Sequence, residues 1–402
     1  MPRLIVANLD CESEYGRKTP RSPPDRLPDP IRRMLSSAGA LLCTFAGPGD
    51  RLWTPEPVDR DRLALPAARD VELLSGPLEA LHPASHDEIL AWGETRSIAA
   101  LRRDQEERRP GDGPAPAPHD WRQALWTAHA DPDVARKVND RRYSQALAEQ
   151  LGAALPGSAV LDSPRDLDRH LAAGGHRTGH REAWVLEAPF SASGRLRVRR
   201  RGNDISPDIA TRIRRLFDRF GQLVFRPWVD RVSDLACTGV IHRDGAMTLF
   251  PAHGLDNDPA GIFHGARVLP RGSPLAVPEE LEPGAAAAEQ TAREVGQRLL
   301  RDGYRGPFGV DSFVYRTGDG SLRLHALCEI NARLGFGLLA RALQWDFPDL
   351  AVELRLETGP IPEAGRSGER IVPLLHPGSD DATSAWLVLG PDGGRRAQRG
   401  LP

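Results

Sequence analysis

Two carboxylates and a carboxamide stand close together in one stretch of this chain: Asp311, and then Glu329 and Asn331. An all-oxygen set of this kind suits a hard divalent cation such as Mg²⁺. Two carboxylates held near each other repel unless a cation or a proton lies between them. The plainer alternative is an amphipathic hairpin whose polar face is simply wet.

For the three groups to meet, residues 303–337 must fold back on themselves. Gly309 to Tyr315 and Leu322 to Asn331 read as strands, joined by the turn-forming Thr317-Gly318-Asp319-Gly320. A period of two puts Asp311, Phe313 and Tyr315 on one face of the first strand. On the second strand it puts Leu324, Ala326, Cys328 and Ile330 on an apolar face. Arg323, His325, Leu327, Glu329 and Asn331 fall on the other. Asp311 opposes Glu329 only in a register centred on Gly320, which requires an odd-length loop or a bulge.

The 402 residues are enough for two or three domains, and 40% hydrophobic with 27% charged is a globular composition. A net charge of −2 argues against bulk attraction to nucleic acid or to an anionic membrane surface. Only Lys18 and Lys137 among the 53 basic residues are lysine, so sites that usually use Lys must use the planar, bidentate Arg. Cys11, Cys43, Cys237 and Cys328 show neither zinc nor disulfide spacing, and a reducing cytoplasm is expected. The short run Leu4 to Ala7 is not a signal peptide, and no apolar stretch has the length of a membrane span.

Strand, turn and helix signals over residues 1 to about 110 predict an open α/β layer. Its strands are expected at Leu4–Ala7, Leu41–Phe45, Val71–Leu74 and Ile89–Trp92. A helix over Asp29–Ser37 and another capped by Thr95 go with them. Asn8, Asp10, Gly47, Gly49 and Glu94 lie at strand ends, as turn formers and caps or as ligand contacts. Residues 16–30 and 106–120 read as a loop and a charged Pro/Gly linker. Helices are expected around Trp121–Trp126, Tyr143–Leu151, Asp208–Phe220 and Ala285–Asp302, and strands at Ala183–Pro189 and Ala236–His242. Phe250 to His264 reads as an irregular surface loop, in which His253, Asp256, Asn257 and His264 could touch a substrate. Residues beyond about Pro360 read as a frayed tail.

A small-residue loop, Phe190-Ser191-Ala192-Ser193-Gly194-Arg195, separates two strands. Its backbone N–H groups could approach phosphate oxygens, with hydroxyls from Ser191 and Ser193 and charge from Arg195, Arg197 and Arg199. The alternative is a polar turn with a solvated basic flank.

Glu329-Ile-Asn-Ala-Arg333 closing an apolar strand, with Gly309-Val-Asp-Ser-Phe313 one strand earlier, resembles the metal-binding end of the ATP-grasp superfamily. The resemblance covers roughly residues 136–345. It implies an α/β chain, α+β in its nucleotide-binding part, in which an ATP-grasp fold follows an open α/β pre-ATP-grasp domain. The division implied is 1–120 for that first domain, 121–225 and 226–358 for the two ATP-grasp subdomains, and 359–402 for the tail. Asp311, Glu329 and Asn331 would hold Mg²⁺ between the ATP phosphates, and Arg333 would steady the transferred phosphoryl group. Arg141 or Arg142 would stand in for a nucleotide-contacting Lys. The loop with Ser191, Ser193, Gly194 and Arg195 would cover the β- and γ-phosphates. The segment bearing Arg226, Trp228 and Val229 would read the adenine. Two positions depart from the family pattern: Glu187 stands where Lys is usual, and Arg226 where Glu is usual. The activity implied is ATP- and Mg²⁺-dependent activation of a small-molecule carboxylate, as an acyl phosphate, for attack by an amine or thiol. A homodimer is compatible with it. The rival, favoured by Glu187 and Arg226, is a non-catalytic nucleotide-binding or regulatory protein on the same fold.

Overall fold

A computed structural model describes residues 3–17, 27–81, 88–107, 120–191, 196–270 and 282–390. Ser193, Gly194 and Arg195, most of the linker 106–120, most of the loop 16–30 and residues 391–402 lie outside the described residues. The strands form three sheets. The first is wholly parallel, with β1 (Arg3–Val6), β2 (Arg51–Thr54), β3 (Glu72–Ser75) and β4 (Glu88–Ala91) in the order β3-β2-β1-β4. Helices α1 (Cys11–Tyr15), α2 (Asp29–Ala40) and α3 (Arg96–Glu107) accompany it. Both faces of this sheet are covered: Ile5 and Leu52 join the main core, while Leu4, Val6 and Trp53 pack with Ile98 of α3. Such two-sided burial is what short, continuously apolar parallel strands require.

Helices α4 (Trp121–Thr127), α5 (Pro132–Val138) and α6 (Arg141–Gln150) lead into a small antiparallel sheet. It contains β5 (Ala159–Leu161), β6 (Ala183–Glu187), β7 (Arg197–Arg201) and β8 (Leu223–Pro227), in the order β5-β8-β6-β7. With α7 (Pro164–Ala172) and α8 (Pro207–Phe220) it encloses a core of its own around Trp184, Phe225, Ile213 and Phe217. The apolar stripe of α8 faces that core, and Gly221 ends the helix at φ +75°.

The large sheet has nine antiparallel strands: β9 (Asp230–Ile241), β10 (Met247–Leu249), β11 (His253–Asn257), β12 (Phe263–Val268), β13 (Gly306–Arg316), β14 (Leu322–Asn331), β15 (Ala351–Thr358), β16 (Arg370–Leu375) and β17 (Thr383–Gly390). Their order is β14-β13-β9-β11-β12-β15-β17-β16, with β10 paired to β9. Helices α9 (Glu282–Arg301) and α10 (Phe336–Gln344) pack against this sheet. Its core is continuous with that of the first sheet, Leu338 and Leu387 sharing one cluster with Ile5 and Leu42.

Four expectations are corrected. Leu41–Phe45 is a 3₁₀ helix running on from α2, not a strand, and the strand comes later at Arg51–Thr54. Four of its five residues are buried, and a fully buried apolar run carries no period to tell helix from strand. Phe250–His264 is no irregular loop, since β11 and β12 pair across it and only the turn between them is irregular. The supposed tail supplies β16 and β17, and Arg62 ties it down through the carbonyls of His376 and Thr383. Finally, β14 does not keep strict alternation. Leu324, Leu327 and Ile330 meet the main core, whereas Cys328 packs with Phe313 and Tyr315. The pairing of β13 with β14 shifts between Asp311 and Phe313, and a bulge there re-aims the side chains around it.

Candidate active site

The β13–β14 pairing sets Asp311 opposite Glu329 and Gly309 opposite Asn331, with a bulge between Asp311 and Phe313. Asn331 Nδ2 donates to Asp311 Oδ2 at 2.9 Å. Burial, reinforced by the charge of Glu329, pushes the Asp311 carboxyl up to about 7. Glu329 is half-buried and pairs with Arg141 at 2.8 Å. Among the described residues no three His, Cys, Asp or Glu side chains form a cluster, so the candidate cation site is two carboxylates and an amide.

Arg141 opens α6 and is itself buried. Besides Glu329 it donates to Ala188 O at 3.1 Å, Ser191 Oγ at 2.9 Å and Ser191 O at 2.8 Å. One guanidinium thus joins the Glu329 carboxylate to Ser191, near the start of the 190–195 loop. Arg142 turns away to Asp140, the residue capping α6, and to Gln222. Of the two arginines proposed for this role, the structure brings Arg141 into the site and leaves Arg142 outside it.

Arg333 lies 2.6 Å from Glu12 and donates to Asn331 Oδ1 at 3.1 Å, its guanidinium 5.4 Å from the Trp92 ring centroid. Glu12 was not singled out by sequence. It sits on the five-residue α1 just past β1, and the only available signal was its place beyond a strand's carboxyl end. Gly93 lets α1 lie this close, because a Cβ there would stand 2.6 Å from Cys11 Sγ. Among the other strand-end residues, Asn8 bonds Gly93 and Glu94 pairs with Arg102, both holding local structure.

Glu187 and Arg226 face each other on neighbouring strands at 2.7 Å. Burial raises the Glu187 carboxyl, but Arg226, Arg141 and Arg197 together hold it below its ordinary value. Trp228 has both backbone polar groups engaged, its N–H to Ala183 O at 2.8 Å and its carbonyl to His180 N at 2.7 Å. Only its ring is left for the cleft, and Arg199 stacks on that ring at 4.2 Å. Val229 joins Leu155, Phe313 and Tyr315 in an apolar slot.

Asp311, Glu329, Asn331, Arg141, Arg333 and the Glu187–Arg226 pair line one cleft of 440 Å³ between the small and large sheets, which extends past Arg333 to Trp92, Phe263 and Phe336. Of the loop residues thought able to reach a substrate, His253, Asn257 and His264 line it, while Asp256 pairs with Arg355.

The raised Asp311 fixes a pH dependence. The folded chain holds a proton up to about pH 7 that the unfolded chain releases near the ordinary 3.8. Its stabilising contribution is therefore complete below about pH 4 and disappears as pH rises through 7, by at most about 4 kcal/mol. In metal-free urea unfolding, the stability of Asp311→Asn relative to the parent should rise between pH 5 and pH 8. A pH-independent difference would mean that Asp311 titrates normally.

No protein-family model and no curated protein matches the chain. Solved structures do. An N5-carboxyaminoimidazole ribonucleotide synthetase from Thermus thermophilus is similar over 99% of this chain and 95% of its own, at 16% identity and a TM-score of 0.51. The N5-carboxyaminoimidazole synthetase from Staphylococcus aureus, solved with ADP, covers 97% and 93% at 11% identity and 0.52. A biotin carboxylase–β,γ-ATP complex from Campylobacter jejuni covers 97% and 87% at 11% identity and 0.54. At such identities the likeness is one of fold.

Proposed function

We propose that this chain, which has the ATP-grasp fold, is an ATP- and Mg²⁺-dependent ligase that activates a carboxylate as an acyl phosphate for attack by an amine. The observation that carries this reading is the opposed pair Asp311 and Glu329, both half-buried, with Arg141 and Arg333 on either side. That similar structures were solved with ADP and with β,γ-ATP supports a nucleotide as ligand. A divalent cation fits the donor set, because its charge would offset both causes that raise the Asp311 carboxyl, burial first and the neighbouring Glu329 second. An amide nitrogen cannot ligate a cation, so Asn331 would have to turn its oxygen towards Asp311. When bound, Mg²⁺ would screen the β- and γ-phosphate charge.

The chain's own residues would do the positioning. Arg141 ties the phosphate-side loop to Glu329. Arg333, oriented by Glu12, would face the charge that develops during transfer. In the proposed division, residues 121–225 cover the nucleotide and 226–358 carry the cation site.

Incubating the full chain with ATP, Mg²⁺ and panels of small acids and amines, with ADP release as the readout, tests the proposal. Release that requires both an acid and an amine is expected. Nucleotide binding without any such release would favour the non-catalytic reading, for which the filled Glu187–Arg226 pair is the supporting observation. Arg333→Ala should lower kcat by about 10²–10³, with a smaller change in the KM for ATP. A change confined to KM would remove Arg333 from phosphoryl transfer.

A further inference from the structure

Strand pairing aligns His253, Ala236, Asp311 and Glu329 in one row across the large sheet. Two residues along, Thr238, Gly309 and Asn331 form a second row. Residues paired this way project from the same face. Each row has a small residue in the middle, so the floor between its polar ends is low. At about 4.8 Å per strand, His253 stands roughly 10 Å from Asp311.

The two ends differ in one respect. At the carboxylate end Asp311, Glu329 and Asn331 all have partners. At the other end His253 is 1% exposed and Thr238 5% exposed. Among the described residues neither ring nitrogen of His253 nor Oγ1 of Thr238 has a hydrogen-bond partner, though both residues line the cleft. Burial, with Arg341 nearby, pushes the His253 imidazole down to about 3, so the ring is neutral and offers one N–H and one lone pair. The first turn of α10 lies directly over it, since a Cβ on Gly337 would fall 2.2 Å from Nε2. Buried donors and acceptors left unpaired are costly, so unpaired groups beside a cleft gain from any polar group that reaches them.

The walls nearby are apolar. Phe336 stands between Trp92 and Phe263, with centroid distances of 5.2 and 5.1 Å. The neighbouring cations are committed, Arg333 to Glu12 and Arg341 to the carbonyls of Leu269 and Pro251. A carboxylate could use only the donors of the neutral imidazole and hydroxyl, and an ammonium would lie near Arg341. The complementary group is uncharged and both donates and accepts.

We propose that His253 and Thr238 anchor an acceptor subsite for the uncharged hydroxyl, carboxamide or ring N–H of a substrate whose body is apolar. As a substrate class this rests on the ligase reading of the same cleft, but the subsite can be tested without nucleotide. Equilibrium dialysis of the full chain compares L-tyrosine with L-phenylalanine and L-glutamine with L-norleucine. In at least one pair the polar member should bind about tenfold or more tightly. Thr238→Val, which keeps the side-chain shape, and His253→Phe should each erase that preference. Equal binding within both pairs, no binding of any of the four, or a preference that survives either substitution would overturn the subsite. ATP binding and ADP release by the parent, measured in parallel, judge the ligase reading alone.

Discussion

Glu329→Gln should reduce Mg²⁺-dependent ATP turnover by on the order of 10³ while the chain still folds. The substitution removes one of the two carboxylates proposed to hold the cation, at nearly constant volume. It also takes the counter-charge from Arg141, which is buried, with only 6% of its surface exposed. Losing one partner of a buried pair can cost about 3–5 kcal/mol, but Arg141 keeps its bonds to Ala188 and Ser191, and a Gln oxygen can still accept. A stability loss of about 1–3 kcal/mol is therefore expected. The Asp311 carboxyl should titrate lower, because Glu329 is the second cause of its elevation after burial. ADP release and urea unfolding of the same preparation separate these effects. Turnover at the parent's rate would remove Glu329 from the cation site. Collapse of the fold would make the Arg141–Glu329 pair a structural requirement first.

The central hairpin was legible because a strand converts a period of two into faces. Only one register opposes Asp311 to Glu329, and of the odd-length loop or bulge that could set it, a bulge between Asp311 and Phe313 is present. The same bulge is why the faces of β14 were not legible beyond that pair: a period-two argument assumes an unbroken ladder, and Cys328 shows where it breaks. Arg141 and Arg142 could not be distinguished in sequence. Adjacent helical residues point about 100° apart, and Asp140, by taking Arg142 as it caps α6, decides which arginine enters the cleft. Glu12 was hidden for another reason. A five-residue helix in a polar stretch has no periodicity to read, and its partner Arg333 lies 321 positions away. The resemblance that motifs carried spanned about half of the chain, whereas the likeness of fold to the Thermus structure spans 99% of it. Folds can be alike at such low identity because burial and strand pairing constrain residue class and leave identity free.

Glu187→Lys and Arg226→Glu should each destabilise the chain by several kcal/mol, and the double reversal should recover much of the loss. The two side chains stand 2.7 Å apart, Arg226 inside the small sheet with 6% of its surface exposed. Val185 is paired with Arg226 and Glu187 with Val224, so the ion pair runs diagonally between adjacent strands, where long side chains reach each other. Each single reversal sets two like charges together in a largely dry place, and removing the partner of a buried charge costs about 3–5 kcal/mol. The double reversal restores neutrality within the pair. Recovery should nonetheless be incomplete, because Arg141, Arg197 and Arg231 also favour a carboxylate at 187 and would oppose a lysine there. Since both residues line the proposed nucleotide end of the cleft, ATP affinity should follow the same pattern. A double-mutant cycle read by urea unfolding and by ATP binding tests this, with a coupling of at least about 1 kcal/mol expected for contacting charges. Simple additivity in both readouts would mean that the exchanged signs at 187 and 226 do not act as a pair.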